Sequence, residues 1–263
     1  GVFLIMLFVF REGSPIFTKY GPLNLILGGV WQPESSGYGM LPLIIGSLDV
    51  TLVAILLGVP FGVGCAVFLA ELASPKVARY IRPAINLLAG IPSTVYGFFG
   101  LVVLVPYFRG LVGGTGFSLM AGGIILAIMI LPTIISISED ALKAVPGDFR
   151  EASLALGATH WQTIYRTILP AAKSGILAAV ILGIGRAVGE TMAVIMITGN
   201  TPLLPKSILD PGATLTGTIG LEWSYAAGEH ASALFGVGIV LFVMITLIDL
   251  AAAFIGKEQV LLN

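Results

Sequence analysis

Arg186 and Glu190 stand four residues apart inside the apolar stretch 175–198. Arginine stays charged at every relevant pH, and its planar fork of donors matches an oxyanion. A glutamate beside it holds the arginine head in place, or accepts a hydrogen bond from a protonated oxyanion. Ionisable residues inside a membrane are costly and face a bundle interior or a water-filled cavity. A spacing of four puts both side chains on one helical face. Gly185 and Gly189 lie on the adjacent strip, where a neighbouring helix can approach closely. A self-neutralising pair that only fixes helix packing has the same spacing, so the residues alone leave both roles open. Thr191 follows the pair directly. Ser93 and Thr94 follow Pro92, where a half-helix can begin and present free N–H groups to an anion. Both hydroxyls can equally bond back to their own helix. Ser47, Asp49 and Thr51 are further polar residues of an apolar run, and neither Asp49 nor Asp249 has an evident partner in sequence.

Other chemistry is not encoded. The chain has no G-x-x-x-x-G-K-[ST] phosphate loop and no H-E-x-x-H. His160 and His230 fall in different polar loops and read as loop residues, without a second candidate ligand nearby. The single cysteine, Cys65, sits in an apolar run. No catalytic residue, metal site or cofactor of this chain's own is expected.

The elements that position these residues follow from composition. The chain has 263 residues, 57% of them hydrophobic and 10% charged, a net charge of −1 and a mean hydropathy of +1.01. So little charge excludes an ordinary soluble globule and a disordered chain. The charge balance gives no case for nucleic acid. An all-α polytopic membrane protein is expected. Its apolar segments are 2–10, 43–70, 84–105, 119–137, 175–198 and 233–255. All but the first are long enough for a helical span at about 20 residues each. The first reads as the remainder of a truncated helix, for a total of six. Pro60, Pro92 and Pro132 fall at or near span interiors, and Gly58 and Gly62 have the spacing of close helix crossing.

Lysine and arginine set the orientation. Lys76, Arg79 and Arg82, then Lys143, Arg150, Arg166 and Lys173, then Lys257 fall on one side; Arg11, Lys19, Arg109 and Lys206 fall on the other. The richer side is expected in the cytoplasm, with 138–174 a cytoplasmic loop and 199–232 an external one. In 138–174, Pro146 suits a first helical turn, and Asp148 and Glu151 suit its positive end. Gly157 suits a helix end. A second short helix would start at the N-cap Thr159 and stop before Pro170. Such a helical knob can dock in a groove on another protein or rest on lipid headgroups.

Glu151-Ala152-Ser153, three residues, Gly157, nine residues, then Thr167-Ile168-Leu169-Pro170 resembles the EAA loop of ABC importer permeases, E-A-A-x3-G-x9-I-x-L-P. Ser153 and Thr167 depart from the pattern where Ala and Ile are usual. The resemblance implies a type I importer permease fold and a loop that docks into a separate ATPase through Glu151, Ala152, Ser153, Gly157, Ala158, Leu169 and Pro170. The stretch 185–200, GRAVGETMAVIMITGN, and 89–100, AGIPSTVYGFFG, resemble phosphate-specific (Pst) permeases. The opening FREGSPIF, Trp31, Gly39-Met40-Leu41-Pro42 and Gly46-Ser47-Leu48 point to the PstC-type half. Sulfate and molybdate permeases usually carry an L-G-E-F-G-like segment where this chain has Val188-Gly189-Glu190-Thr191-Met192.

The resemblance spans essentially the whole chain, 1–263, as one permease domain. It implies half of a phosphate pathway in a bacterial or archaeal cytoplasmic membrane, with Arg186, Glu190, Thr191, Ser93 and Thr94 along it. The implied partners are a homologous PstA-type permease, two copies of a PstB-type ATPase carrying ATP and Mg, a PstS-type phosphate-binding protein and membrane lipid. An importer of another oxyanion is the alternative within this class. A self-contained channel or secondary transporter is the alternative outside it, and it leaves the coupling knob unexplained.

Overall fold

The computed structural model describes the backbone of residues 2–261 and the side chains of residues 3–251. The side chain of Lys257, counted above on the cytoplasmic side, lies outside that range. The elements in chain order begin with α1 (Val2–Tyr20), α2 (Pro22–Leu27) and a small antiparallel hairpin, β1 (Trp31–Gln32) and β2 (Gly37–Tyr38). Then come α3 (Leu41–Val67), α4 (Pro75–Gly90), α5 (Ser93–Phe99), α6 (Val105–Val112) and α7 (Leu119–Lys143). The remainder is α8 (Gly147–Ala155), α9 (His160–Thr163), α10 (Leu169–Ala171), α11 (Lys173–Val188), α12 (Met192–Ile197), α13 (Leu215–Glu222) and α14 (Glu229–Leu261).

Among the described residues, four helical stretches are long and apolar enough to cross a membrane: Leu41–Leu72, Ser93–Val112, Leu119–Lys143 and Glu229–Ala251. A fifth qualifies if His160–Ala171 and Lys173–Val188, bent by 68° from each other, count as one. Apolarity around the whole helix and internally satisfied backbone groups are what a lipid environment demands.

Two compact units are built from interleaved segments. The first comprises Gly1–Ala54, Pro92–Leu126 and Val188–Ile248; the second comprises Ile55–Ile91, Ala127–Ala187 and Asp249–Asn263. In the first, Ile16, Leu25, Trp31, Met40, Leu43, Leu215 and Leu234 form the buried core. In the second, Ala66, Leu142, Ile164 and Ile168 form one cluster, and Leu69, Ala78, Ile85 and Ile135 another. A Cβ on Gly58 would meet the Ile130 side chain at 2.7 Å, and one on Gly62 would meet Ile134 at 2.7 Å, so this pair does allow close crossing.

Several expected boundaries move. The third span begins at Ser93 rather than residue 84. Pro92 forces the preceding residue away from helical geometry, and Ile91 is extended at φ −72°, ψ 127°. What precedes the break, α4, is amphipathic. Pro60 and Pro132 break nothing and sit inside continuous α3 and α7. Three wide, five-residue-step turns occur instead, at Phe68–Leu72, Gly100–Leu104 and Ile164–Ile168, each followed within three residues by Pro75, Pro106 or Pro170. At Pro106 and Pro170, inside continuing helix, the wide turn re-satisfies a ladder that a proline, lacking an N–H, interrupts; the turn at Phe68–Leu72 instead ends its helix at the extended Ala73. The helix after Thr159 therefore runs through Pro170 rather than stopping before it. The N-terminal apolar run 2–10 is the start of a helix that continues to Tyr20.

Candidate functional site

The knob is built within the second unit. Pro146 is the N-cap of α8, one residue earlier than expected, and Asp148 lies in its first turn. The helix ends at Leu156, and Gly157 adopts φ +84°. Gly157 N–H donates to the Leu154 carbonyl at 2.9 Å and Ala158 N–H to the Ser153 carbonyl at 3.2 Å. This paired closure is the Schellman arrangement, and it needs the left-handed conformation that glycine adopts without strain. A Cβ there would touch nothing within 4 Å, so backbone conformation and not space selects glycine. Thr159 then caps α9: its hydroxyl accepts from Gln162 N–H, and the Gln162 side chain accepts from Thr159 N–H.

Ser153 sits inside the knob, its hydroxyl 3.0 Å from that of Thr163 and 3.4 Å from that of Thr167. The two departures from the E-A-A pattern thus meet each other. Glu151, Ala152, Gly157 and Pro170 are exposed, while Ala158 and Leu169 are half-buried. Large apolar side chains stand out from the same helices: Leu156 is 89% exposed, and Trp161 and Tyr165 are exposed as well. So much apolar surface on so short a hairpin marks an interaction site.

Two residues that sequence reasoning passed over hold the knob. Arg150 pairs with the Glu71 carboxylate and donates to the Val145 and Leu142 carbonyls at 3.0 and 3.2 Å. It closes the C-terminal end of α7 and ties α8 to the wide turn after α3, and the adjoining carboxylate raises its pKa. His160 Nε2 lies 3.3 Å from the Glu71 carbonyl, so it is a member of this junction rather than a free loop residue. A second junction gathers Arg82 and Lys143 on the Glu139 carboxylate, which is 8% exposed.

The fifth span is not one helix. The helix α11 ends at Val188, residues 189–191 are non-helical, and α12 starts at Met192. The expected shared face of Arg186 and Glu190 is therefore lost, because the helical register stops between them. In the first unit the Thr216 hydroxyl donates to the Glu190 carbonyl at 2.8 Å, which takes that carbonyl out of a helical ladder. The Glu190 carboxylate accepts from Ala193 N–H at 3.1 Å and so caps α12. The same unit carries α5. A Cβ on Gly97 would meet Ala193 and Met196, and one on Gly100 would meet Ile197. Contacts in this order make α5 and α12 parallel, so Ser93 and Thr94 begin one helix at the same end where Glu190 and Thr191 precede the other.

Arg186 belongs to the second unit, in the last turn of α11. It is exposed, and within that unit its side chain has no ion pair or hydrogen bond among the described residues. Gly185 does not mark a close crossing, since a Cβ there would meet nothing within 4 Å.

In the first unit Glu222 accepts from Trp31 Nε1 at 3.0 Å and pairs with His230 Nε2 at 2.7 Å. His230, like His160, is thus anchored. The hairpin β1–β2 is pinned by this contact to the C-terminal end of α13 and, through Glu222, to the first turn of α14. Trp31 itself is buried.

Helical stretches of membrane-spanning length, one of them broken beside an exposed arginine, and a helical knob between two of them fit the class of transport permeases. Residues 58–259 match the family of binding-protein-dependent transport system inner membrane components, and the chain belongs to that family. Its members are membrane components of transport systems that depend on a binding protein. A probable ABC transporter permease, YqgH of Bacillus subtilis (strain 168), is 43% identical over 97% of this chain and 85% of its own length. The phosphate transport system permease protein PstC of Mesorhizobium japonicum is 38% identical over 85% of this chain and 74% of its own. That of Pasteurella multocida is 35% identical over 88% and 78%. Among solved structures, a chain of the MetNI methionine ABC transporter in inward-facing conformations superposes with a TM-score of 0.66. It is 25% identical, over 88% of this chain and 99% of that one. The all-α fold is that of a type I ABC importer permease.

Proposed function

We propose that this chain is the PstC-type half of an ATP-driven inorganic phosphate importer in a cytoplasmic membrane. The observation that carries the substrate is its alignment, along most of its length, with permeases named for phosphate transport. It pairs with a homologous permease, and two ATPase subunits hydrolyse ATP outside this chain. A phosphate-binding protein delivers the anion to the external side, where 199–232 lies.

Coupling runs through segment 151–170. The exposed Leu156, Trp161 and Tyr165 seat in a groove of the ATPase, and ATP-driven closure of the ATPase pair moves the knob. The Arg150–Glu71 junction passes that motion to α3 and α7. Arg186 partly offsets the charge of the passing anion. Its guanidinium is free within its unit, so it can serve a ligand without first breaking a bond there. Glu190, Thr191, Ser93 and Thr94 border the pathway at the break.

The test is phosphate uptake into vesicles holding this chain with its partner permease, the ATPase and the binding protein. Uptake should require ATP and yield to arsenate but not to sulfate or molybdate. Uptake of sulfate or molybdate instead would assign another oxyanion, and conduction without ATP would assign a channel.

A further inference from the structure

The helix α4 has a face that the transport reading leaves unused. Ser74 caps it, with the hydroxyl accepting from Val77 N–H at 3.4 Å, and Pro75 occupies its first turn. At about 100° per residue, Ala78, Ile81 and Ile85 fall on one stripe. These side chains are packed into the cluster with Leu69 and Ile135. The opposite side divides along its length. Val77, Tyr80 and Leu87 lie on one flank, with Tyr80 79% and Leu87 74% exposed. Lys76, Arg79 and Arg82 lie on the other at three-residue steps. Arg82 is engaged by Glu139. Lys76 and Arg79 are exposed and have no ion pair among the described residues.

An apolar flank and a basic flank side by side on one exposed helix face describe a membrane–water boundary. The aromatic ring and the leucine would sit at the top of the acyl region, as interfacial helices place them. The two free cations would sit beside lipid phosphates. Solvent alone would wet Tyr80 and Leu87 at a cost, and hydrocarbon alone would strand Lys76 and Arg79. The basic flank specifies the charge of what it meets. We propose that α4 is an interfacial helix that binds anionic phospholipid, with Lys76 and Arg79 on the headgroups and Tyr80 and Leu87 against the acyl chains. Because α4 packs its buried stripe against Leu69, in the wide turn after α3, and Ile135 of α7, the lipid would steady the second unit. The proposal is independent of which anion is transported.

The test uses the assembled transporter in vesicles of mixed phosphatidylcholine and phosphatidylglycerol. Tyr80→Trp adds an indole on the exposed face, and its emission is read as the difference from the parent complex. Brominated phosphatidylglycerol should quench this emission more strongly than the same fraction of brominated phosphatidylcholine. Lys76→Gln and Arg79→Gln should each lower that preference about fivefold, the equivalent of about 1 kcal/mol per basic residue at an anionic surface. Equal quenching by both lipids, or a preference that survives both glutamines, would overturn the proposal. Absence of quenching by either lipid would show that polypeptide covers the face, and would also overturn it. Should Tyr80→Trp not assemble, native mass spectrometry of the otherwise unaltered complex reads the retained phosphatidylglycerol. The paired glutamine variant should lose it, and undiminished retention refutes the binding site.

Discussion

Arg150 and Glu71, 79 residues apart in the chain, are joined guanidinium to carboxylate, and the same guanidinium closes two carbonyls at the end of α7. One side chain thereby fastens the knob-bearing α8 to two long helices. The Glu71 side chain is 4% exposed and that of Arg150 28%, so the pair works in a largely desolvated setting.

Removing the carboxylate leaves a half-buried guanidinium with its two carbonyl partners alone. Glu71→Ala should lower stability by about 2 kcal/mol and uncouple ATP hydrolysis from uptake. Thermal unfolding of the purified complex and ATPase activity with and without the binding protein check both. Glu71→Gln, which keeps an acceptor for the guanidinium, should retain part of the coupling; a glutamine variant no better than the alanine would argue against the junction.

Gly157 is held at φ +84° in open space. Gly157→Ala should strain the turn by about 1 kcal/mol, and Gly157→Asn, which tolerates this conformation, by less. Gly157→Asp adds a charge to the docking surface and should release or uncouple the ATPase. Co-purification of the ATPase with each variant orders them, and normal association with Gly157→Asp would contradict the docking site.

Arg186→Ala deletes a charge that nothing in its own unit uses. Phosphate uptake should be lost or severely reduced, with assembly intact. Arg186→Lys keeps the charge but not the planar fork and should retain only part of the rate. Wild-type uptake by Arg186→Ala would remove it from the pathway.

Glu190 has two separable duties, a cap on α12 and a negative charge. Glu190→Gln keeps an acceptor for Ala193 N–H but no charge, whereas Glu190→Ala loses both and about 1 kcal/mol of cap. If capping is its whole role, the glutamine transports normally and only the alanine fails. If the carboxylate meets the anion, both fail, and initial uptake rates tell the two apart. Thr216→Val, which removes the donor to the Glu190 carbonyl, should loosen the break without touching either charge. Amide exchange across 189–193 should rise.

What can be read along the chain is local. Apolar runs such as 119–137 declare spans, because lipid leaves a helix no other way to satisfy its backbone. Capping and turn chemistry declare the knob, because Thr159, Gln162 and Gly157 act on residues within five positions of themselves. Pro92 declares a break because proline constrains its immediate predecessor.

The tertiary structure decided what depends on distant partners. The helix carrying Arg186 stops before Glu190, whose carbonyl instead accepts from Thr216, 26 residues on. Trp31 is an internal strut because Glu222 lies 191 residues away in sequence and beside it in space. Helical periodicity describes neighbours three or four apart and is silent about hydrogen bonds that folding brings from elsewhere. The same apolar run therefore reads along the chain as one continuous helix, and its break at 189–191 appears in the folded structure.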